Sequence, residues 1–172
     1  MRLKIALFLS VTLIFIAIFA PLIFPHNPNI GDLQMQFSPP SSEYWLGTDH
    51  LGRDILSRLG YGARISFFSV LCISFLIVIS SFSVGMIAGY KGGVVDNVLM
   101  RVCDVFLTFP TFVLALFFIA ILGVGLLNVI LAIALTHWAW YARMVRSIVL
   151  EVRTQNHIMA AKMLGGSEFK IL

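Results

Sequence analysis

The stretch Ile65–Tyr90 reads ISFFSVLCISFLIVISSFSVGMIAGY and contains no charged residue. A helix of about 25 residues is roughly 37 Å long, which is enough to cross the ~30 Å hydrocarbon core of a membrane with some tilt. Serine and glycine recur along the stretch, and small residues let helices approach each other closely in lipid. The stretch therefore predicts a membrane helix that packs inside a bundle.

The composition of the whole chain agrees with a membrane protein. Of its 172 residues, 59% are hydrophobic and only 12% are charged, which lies far outside the range of soluble globular domains. The net charge of +4 does not indicate nucleic-acid binding, because the lysines and arginines flank apolar stretches instead of forming one basic patch. These cations are interpreted as signals of membrane topology.

Three other apolar stretches lie on either side of Ile65–Tyr90, and together they predict an all-α, polytopic bundle of four transmembrane helices. The first is interpreted as an uncleaved span, because it is longer than the apolar part of a typical signal peptide. The predicted segments are a cytoplasmic N-terminus (1–4), TM1 (5–24), an external loop with an interfacial helix (25–64), TM2 (65–90), TM3 (97–122), TM4 (126–142) and a cytoplasmic segment (143–172).

The charges between the spans predict the orientation. With the N-terminus in the cytoplasm, four crossings return the C-terminus to the cytoplasm. The inside segments then hold most of the lysines and arginines, whereas the outside loop holds three arginines beside four acids. This is the positive-inside pattern, and it predicts an N-in, C-in topology.

Charged residues also lie within or beside the predicted helices. Arg101 and Asp104 have i,i+3 spacing, so we expect an ion pair on one face of TM3 that reduces the cost of membrane-embedded charge. Asp54 and Arg58 have the i,i+4 spacing of a second helical pair. Pro110 lies in the middle of TM3 and predicts a kink there, because proline removes a backbone donor.

No motif of a nucleotide-binding or hydrolytic enzyme is present, including the phosphate-binding loop G-x-x-x-x-G-K-[ST] and the zinc motif H-E-x-x-H. The sequence therefore predicts that the chain is not an enzyme. His137 lies inside TM4 between aromatic residues, and two interpretations stay open. It is either a neutral histidine hydrogen-bonded to a neighbouring helix or a residue that lines a substrate path. The sequence assigns no metal ligands.

The segment after the last span reads MAAKMLGG at Met159–Gly166. Ala160, Ala161 and Gly165 are small enough to allow close backbone approach, and the Gly165–Gly166 pair ends a helix of about two turns. A short helix of this kind at the cytoplasmic face is suited to a groove on another protein. From the residues alone, a simple interfacial connector is the preferred interpretation.

Several stretches resemble one family of membrane proteins. MAAKMLGG resembles the coupling loop of ABC importer permeases, although Met159 stands where the family has glutamate. WLGTDHLGRDILSRLGYGARIS (Trp45–Ser66) and RVCDVFLTFP (Arg101–Pro110) resemble the dipeptide, oligopeptide and nickel permeases, and NVILAIALTHWAWYARMVRSIV (Asn128–Val149) is most similar to the C-type nickel permeases. The resemblance covers nearly the whole chain.

The resemblance implies a permease subunit of an ATP-driven importer in the bacterial cell membrane, with nickel or a nickel complex as cargo. It implies a second permease subunit, two ATP-binding subunits and an external substrate-binding protein as partners, besides membrane lipid. It implies no cofactor on this chain, since ATP and Mg²⁺ belong to the partner subunits. The site residues implied for ATPase coupling, within 157–170, are Met159, Ala160, Ala161 and Gly165.

Permeases of this family continue into further spans after the coupling loop, so the resemblance implies that the rest of the permease domain is missing from these 172 residues. The chain as it stands is therefore not expected to transport by itself. Two alternative functions remain at this point. One is a dipeptide or oligopeptide permease, which shares the same motifs, and the other is a structural membrane protein or inactive fragment that does not transport.

Overall fold

The computed structural model describes residues 2–24, 26–156, 158 and 163. Five α-helices account for most of them, and no strand occurs in the described part of the chain. The prediction of an all-α fold is confirmed. The helices are α1 (Arg2–Ile23), α2 (Ile55–Lys91), α3 (Gly93–Thr108), α4 (Thr111–Leu122) and α5 (Leu126–Val152).

The chain forms two compact units, residues 1–71 and 72–172, and the boundary falls within α2. In the first unit, α1 ends near Phe24, which is buried, and the ring of Phe24 lies directly against the backbone of Gly60. A side chain at position 60 would overlap that ring. Between the two helices, residues 26–54 form an irregular segment with one 3-10 turn at Leu33–Met35 and an isolated bridge between Thr48 and Asp54.

The second unit contains the C-terminal part of α2 together with α3, α4 and α5. The buried core consists of Cys103 of α3 with Ala139 and Ala142 of α5, and larger side chains such as Phe106 and Trp138 pack around it. Small residues at the centre of the contact let the helix backbones approach each other.

The connection between α4 and α5 is short, and it is fixed by the side chain of Asn128. The Asn128 amide donates hydrogen bonds to the carbonyl oxygens of Leu122 (2.7 Å) and Gly123 (3.1 Å) at the end of α4. These carbonyls have no partner within their own helix, so the bonds stabilise the turn.

The helix bounds differ from the predicted segments in two places. Residues 55–64 do not form a separate interfacial helix; they are the first turns of α2, because the Asp54 carboxylate caps the helix at Leu56 and Ser57. The predicted TM3 is two helices that meet at an angle of 91° around Pro110. The predicted kink is therefore a complete break in the helix.

By length and composition, two helices in the described part of the chain are able to cross a membrane, Leu3–Ile23 and Ile55–Lys91. The bent pair α3 and α4 brings the number to three if it forms one span. The predicted TM4 lies within α5, which is helical over 27 residues but is not among these candidates. The count of four crossings and the N-in, C-in orientation stay predictions.

Candidate functional site

The four residues predicted to contact an ATPase, Met159, Ala160, Ala161 and Gly165, lie outside the described residues. The structure instead describes the helix that leads to them. The α5 helix ends at Val152, and a turn follows in which the Arg153 amide donates to the Val149 carbonyl (3.0 Å). How this end of α5 is held bears directly on the position of the segment that follows it.

An ion pair joins α5 to the start of α3. The Arg146 guanidinium binds the Asp96 carboxylate through both of its oxygens, with Nη2 2.5 Å from Oδ2 and Nε contacting Oδ1. The Asp96 side chain is only 11% exposed, so the pair is largely shielded from solvent. Asp96 also lies in the first turn of α3, where the helix dipole favours a negative charge.

A second arginine joins α5 to the end of α2. Nη1 of Arg153 donates to the carbonyl oxygens of Gly89 (2.9 Å) and Tyr90 (3.3 Å). These carbonyls belong to the last turn of α2, where no intrahelical donor remains and the helix dipole favours a cation. The hydrogen bonds therefore satisfy backbone acceptors and fix the C-terminal end of α5 against α2.

We call this set of contacts the arginine clamp: Arg146 with Asp96, and Arg153 with the carbonyls of Gly89 and Tyr90. The two arginines are seven residues apart, which places them on the same face of α5 about two turns from each other. Between their targets lies the turn from α2 to α3, where Gly92 and Gly93 have positive φ angles of 64° and 57°. The clamp therefore holds both sides of a glycine turn.

Two glycines allow α2 and α5 to come this close. A β-carbon at Gly85 would lie 2.6 Å from the Ala142 carbonyl oxygen and 2.7 Å from Cβ of Val145. One at Gly89 would lie 2.8 Å from Cβ of Val149. The spacing G-x-x-x-G is typical of close contacts between membrane helices. The prediction that small residues place this helix in a packed bundle therefore agrees with the contacts at its C-terminal end.

Beside the clamp lies an apolar cavity of about 210 Å³, lined by residues of α2 and α5 and by Ile158. Among its lining residues are Met86, Val149 and Val152. The amide of Ile158 donates to the Gln155 carbonyl (3.0 Å), so a hydrogen-bonded turn continues the chain from α5 toward the predicted coupling residues.

The structure gives Asp104 a different partner from the predicted one. Its carboxylate contacts the guanidinium of Arg143 on α5, whereas Arg101 is exposed and forms no ion pair with a described residue. The prediction of an Arg101–Asp104 pair is therefore wrong, because the cation that binds Asp104 is Arg143. The i,i+3 spacing identified an acid that needs a partner, but Asp104 faces α5, and the nearer cation comes from that helix. Asp104 and Arg143 remain 43% and 47% exposed, so this pair is much less shielded than Asp96 and Arg146.

His137 lies on an exposed face of α5. Its Nδ1 is 3.0 Å from the Ile133 carbonyl oxygen and 3.0 Å from Oγ1 of Thr136. Because a carbonyl oxygen can only accept, the hydrogen bond to Ile133 requires the proton on Nδ1. The hydrogen bond is made within its own helix, not with a neighbouring helix as one interpretation expected. A role in a substrate path stays a prediction.

A second charge network lies in the first unit. The Asp49 carboxylate accepts from the amides of Leu51 (2.8 Å) and Arg53 (3.0 Å), from Nε of Arg53 (2.9 Å) and from Nη1 of Arg58. Desolvation raises the pKa of Asp49, but these hydrogen bonds outweigh it and hold the pKa well below its usual range. We call Asp49, Arg53 and Arg58 the loop network.

The neighbouring Asp54 is buried at the start of α2. Its Oδ2 accepts from Oγ of Ser57 (2.5 Å) and lies 3.3 Å from Nδ1 of His26. Desolvation raises the pKa of Asp54, but the hydrogen bonds from Ser57, His26 and the Leu56 amide lower it by more, so the net shift is downward. The expected Asp54–Arg58 pair is therefore absent from this segment, because Asp54 caps the helix and Arg58 binds Asp49.

Within the described residues, no group of three or more histidine, cysteine, aspartate or glutamate side chains is placed to hold a metal ion. The sequence missed Asp96, Arg146 and Arg153 as functional candidates. The seven-residue spacing of the two arginines on an amphipathic helix was the signal that pointed to one shared face.

Comparison with known proteins places the chain in a family. Residues 81–172 match the model of the binding-protein-dependent transport system inner membrane component. The chain belongs to this family. It is thus a helical, multi-pass component of the bacterial inner membrane, and the resemblance to ABC importer permeases is confirmed.

The curated relatives carry three kinds of name. The chain is 44% identical over 168 residues to the nickel transport system permease protein NikC of Escherichia coli, a match that covers 98% of this chain and 61% of the relative. It is 41% identical to the metal-staphylopine import system permease protein CntC of Staphylococcus aureus over 98% of this chain and 58% of the relative. It is 35% identical to the dipeptide transport system permease protein DppC of Bacillus subtilis over 96% of this chain and 52% of the relative.

The chain therefore spans about half to three-fifths of the length of these relatives. The matched family region begins within α2 and includes the arginine clamp as well as the predicted coupling residues. All three relatives are named as permease proteins, which supports the expectation that the chain is not an enzyme.

Proposed function

We propose that this chain is a membrane subunit of an ATP-driven ABC importer that moves nickel, or a nickel complex, across the bacterial cell membrane. The observation that carries the proposal is the identity of 44% to a nickel permease, compared with 35% to a dipeptide permease of similar coverage. The identity of 41% to a metal-staphylopine permease further favours a metal, free or bound to a small organic ligand, over a peptide.

The proposed partners are a second permease subunit, two ATP-binding subunits and an external substrate-binding protein. ATP and Mg²⁺ are bound by the ATP-binding subunits, and this chain holds no cofactor. The segment 157–170 docks on an ATP-binding subunit through Met159, Ala160, Ala161 and Gly165. Movement of that segment passes into α5, and the arginine clamp carries it to the ends of α2 and α3, because these are the contacts that Arg146 and Arg153 make.

The cargo is tested by uptake in the source bacterium, with the gene for this chain deleted and then restored. Restored cells are expected to accumulate radioactive nickel, and an excess of short peptides is expected not to compete. Peptide uptake that depends on the gene and is indifferent to nickel would instead support the dipeptide and oligopeptide alternative, which the 35% identical relative favours.

The docking role is tested by replacing Gly165 with tryptophan. A bulky side chain at the close-approach position is expected to abolish most nickel uptake while ATP hydrolysis by the assembled transporter continues and the chain remains in the membrane fraction. The control is Gly62→Trp, at a position where an added β-carbon would meet no other atom within 4 Å. Normal uptake in the Gly165 variant would refute the docking role, and failure of any ATPase to co-purify would favour a non-transporting membrane protein.

A further inference from the structure

The two halves of the arginine clamp bind different kinds of group. Arg146 binds the Asp96 carboxylate through both oxygens, whereas Arg153 donates only to the carbonyl oxygens of Gly89 and Tyr90. Loss of Arg146 would leave a carboxylate that is 11% exposed without its cation, which is strongly destabilising. Loss of Arg153 would leave neutral carbonyls at a helix end, where water can bind them. Removal of Arg153 is therefore expected to leave the packed unit intact.

Arg153 lies where the chain leaves α5. It directly follows the helix, and residues 154–156 separate it from the proposed docking segment, 157–170. Backbone hydrogen bonds close this connection, since the Thr154 amide donates to the Glu151 carbonyl (3.3 Å) and the Gln155 amide to the Val152 carbonyl (3.0 Å). A connection this short has little length in which to absorb a displacement. A movement of the docking segment would therefore reach Arg153 before any other part of the clamp.

Three parts of the unit meet at the Arg153 guanidinium. Its Nη1 binds the last turn of α2, and a β-carbon at Gly92, in the turn to α3, would lie only 3.5 Å from that nitrogen. Arg153 and Ile158 also line the same apolar cavity, together with Met86 of α2. The guanidinium is thus in contact with the end of α2, beside the glycine turn and beside the first described residue of the docking segment.

We propose that Arg153 is a positioning residue, which fixes the path of the chain between α5 and the docking segment against the end of α2. Through this position it sets how much of the ATP hydrolysed is converted into uptake, whereas Arg146 holds the helices together. The part of the inference that concerns coupling rests on the proposed function. The part that concerns position rests on the contacts of Arg153 alone.

The chemistry of the contact suits a positioning role. Backbone carbonyls have places that are set by the helix itself, so the bonds of Arg153 locate the end of α2 and not a mobile side chain. The guanidinium is planar and its donors have fixed directions, so two carbonyls define the orientation of the side chain as well as its distance. Lysine would keep the charge and a donor at this place, and methionine would keep neither.

The positional role is tested by the distance between spin labels at the end of α2 and just after α5. Cysteines replace the exposed residues Lys91 and Gln155, and serine replaces the exposed Cys72 so that it does not react. The chain is purified in detergent with the subunits that accompany it, and the Cys72→Ser chain without the two new cysteines gives the background. Pulsed electron paramagnetic resonance then measures the distance distribution.

We expect a narrow distance peak in the labelled chain, loss of that peak in Arg153→Met and retention of most of it in Arg153→Lys. Glu151→Gln, at an exposed position in the last turn of α5, is the matched control and is expected to keep the peak. The coupling role is tested in the reconstituted transporter without labels. Arg153→Met is expected to lower the nickel taken up per ATP hydrolysed by about fivefold, with ATP hydrolysis and the co-purified ATP-binding subunit unchanged. A purely structural loss would lower uptake, hydrolysis and assembly together.

A narrow peak that persists in Arg153→Met would overturn the positional role, whether or not the chain takes part in import. Loss of the peak with an unchanged ratio of nickel to ATP would overturn the coupling role, and so would uptake, hydrolysis and assembly that fall together. If the unsubstituted chain takes up no nickel and co-purifies with no ATP-binding subunit, the proposed importer fails. The spin labels then decide the positional role by themselves.

Discussion

The loop network and the arginine clamp use the same chemistry at very different distances along the chain. Asp49 binds Arg53 and Arg58, which are four and nine residues away, so the loop network holds one segment to itself. The clamp joins residues that are 50 and 64 positions apart and connects three helices. Loss of the loop network is expected to loosen the segment 49–58, whereas loss of the arginine clamp is expected to separate α5 from α2 and α3. Asp49 and Asp96 are similarly shielded, at 14% and 11% exposed, so the two networks differ mainly in the chain separation of the residues that they join.

The largest effect is expected from Asp96→Asn. The variant leaves the partly buried Arg146 without its anionic partner, and removal of one member of such a pair costs about 3 kcal/mol of unfolding free energy. The measurement is the unfolding free energy of the full chain in detergent micelles.

The matched control for that measurement is Asp104→Asn. Asp104 also binds an arginine of α5, but both partners are more than two-fifths exposed, so the expected cost is below about 1 kcal/mol. Equal costs for the two variants would show that shielding does not distinguish the pairs.

An intermediate effect is expected from Gly85→Ala, which tests the close approach that the clamp requires. The added methyl group would lie 2.6 Å from the Ala142 carbonyl oxygen, so α2 and α5 must separate, at a cost of about 2 kcal/mol. The same assay measures it. Gly62→Ala serves as the control in the same helix, because an added methyl group would meet no atom within 4 Å there, and alanine is expected to stabilise the helix by about 0.5 kcal/mol. If Gly85→Ala were also stabilising, the close contact would be disproved.

The smallest effect concerns the pH dependence of the loop network. The pKa of Asp49 is lowered in the folded chain, so its stabilising contribution is complete above its ordinary pKa of about 4 and declines as the pH falls below that value. Hydrogen-exchange protection of the Leu51 and Arg53 amides, which donate to Asp49, should decline with it. In Asp49→Asn, both amides should be less protected at neutral pH and show no such decline; an identical pH profile in the variant would refute the assignment.

The sequence was sufficient to predict helices, their approximate positions and the family, because these depend on long apolar stretches and on recognisable local motifs. It also predicted a kink at Pro110, since a missing backbone donor is a local property. The size of the bend was not predictable, because it depends on how α3 and α4 each pack against α5. The angle of 91° is a property of the packed unit.

Charge partners were the part that the sequence could not assign. Spacing along a helix suggested Arg101 for Asp104 and Arg58 for Asp54, and both acids have other partners. Spacing reports which residues share a face of one helix, but it does not report which neighbouring helix covers that face. Asp104 faces α5 and so contacts Arg143, while the Asp54 carboxylate precedes the first turn of α2 and accepts hydrogen bonds from the backbone amides of that turn. The seven-residue spacing of Arg146 and Arg153 indicates a shared face, but no local pattern indicates their partners, which lie 50 and 64 residues away.

The break between α3 and α4 has a mechanical consequence. Because the two helix axes are about 91° apart, a displacement of α3 along its own axis is directed across the axis of α4. The Asp96 anchor lies in the first turn of α3, at the end farthest from Pro110. A force that α5 applies through Arg146 therefore reaches α3 at the end opposite the junction with α4.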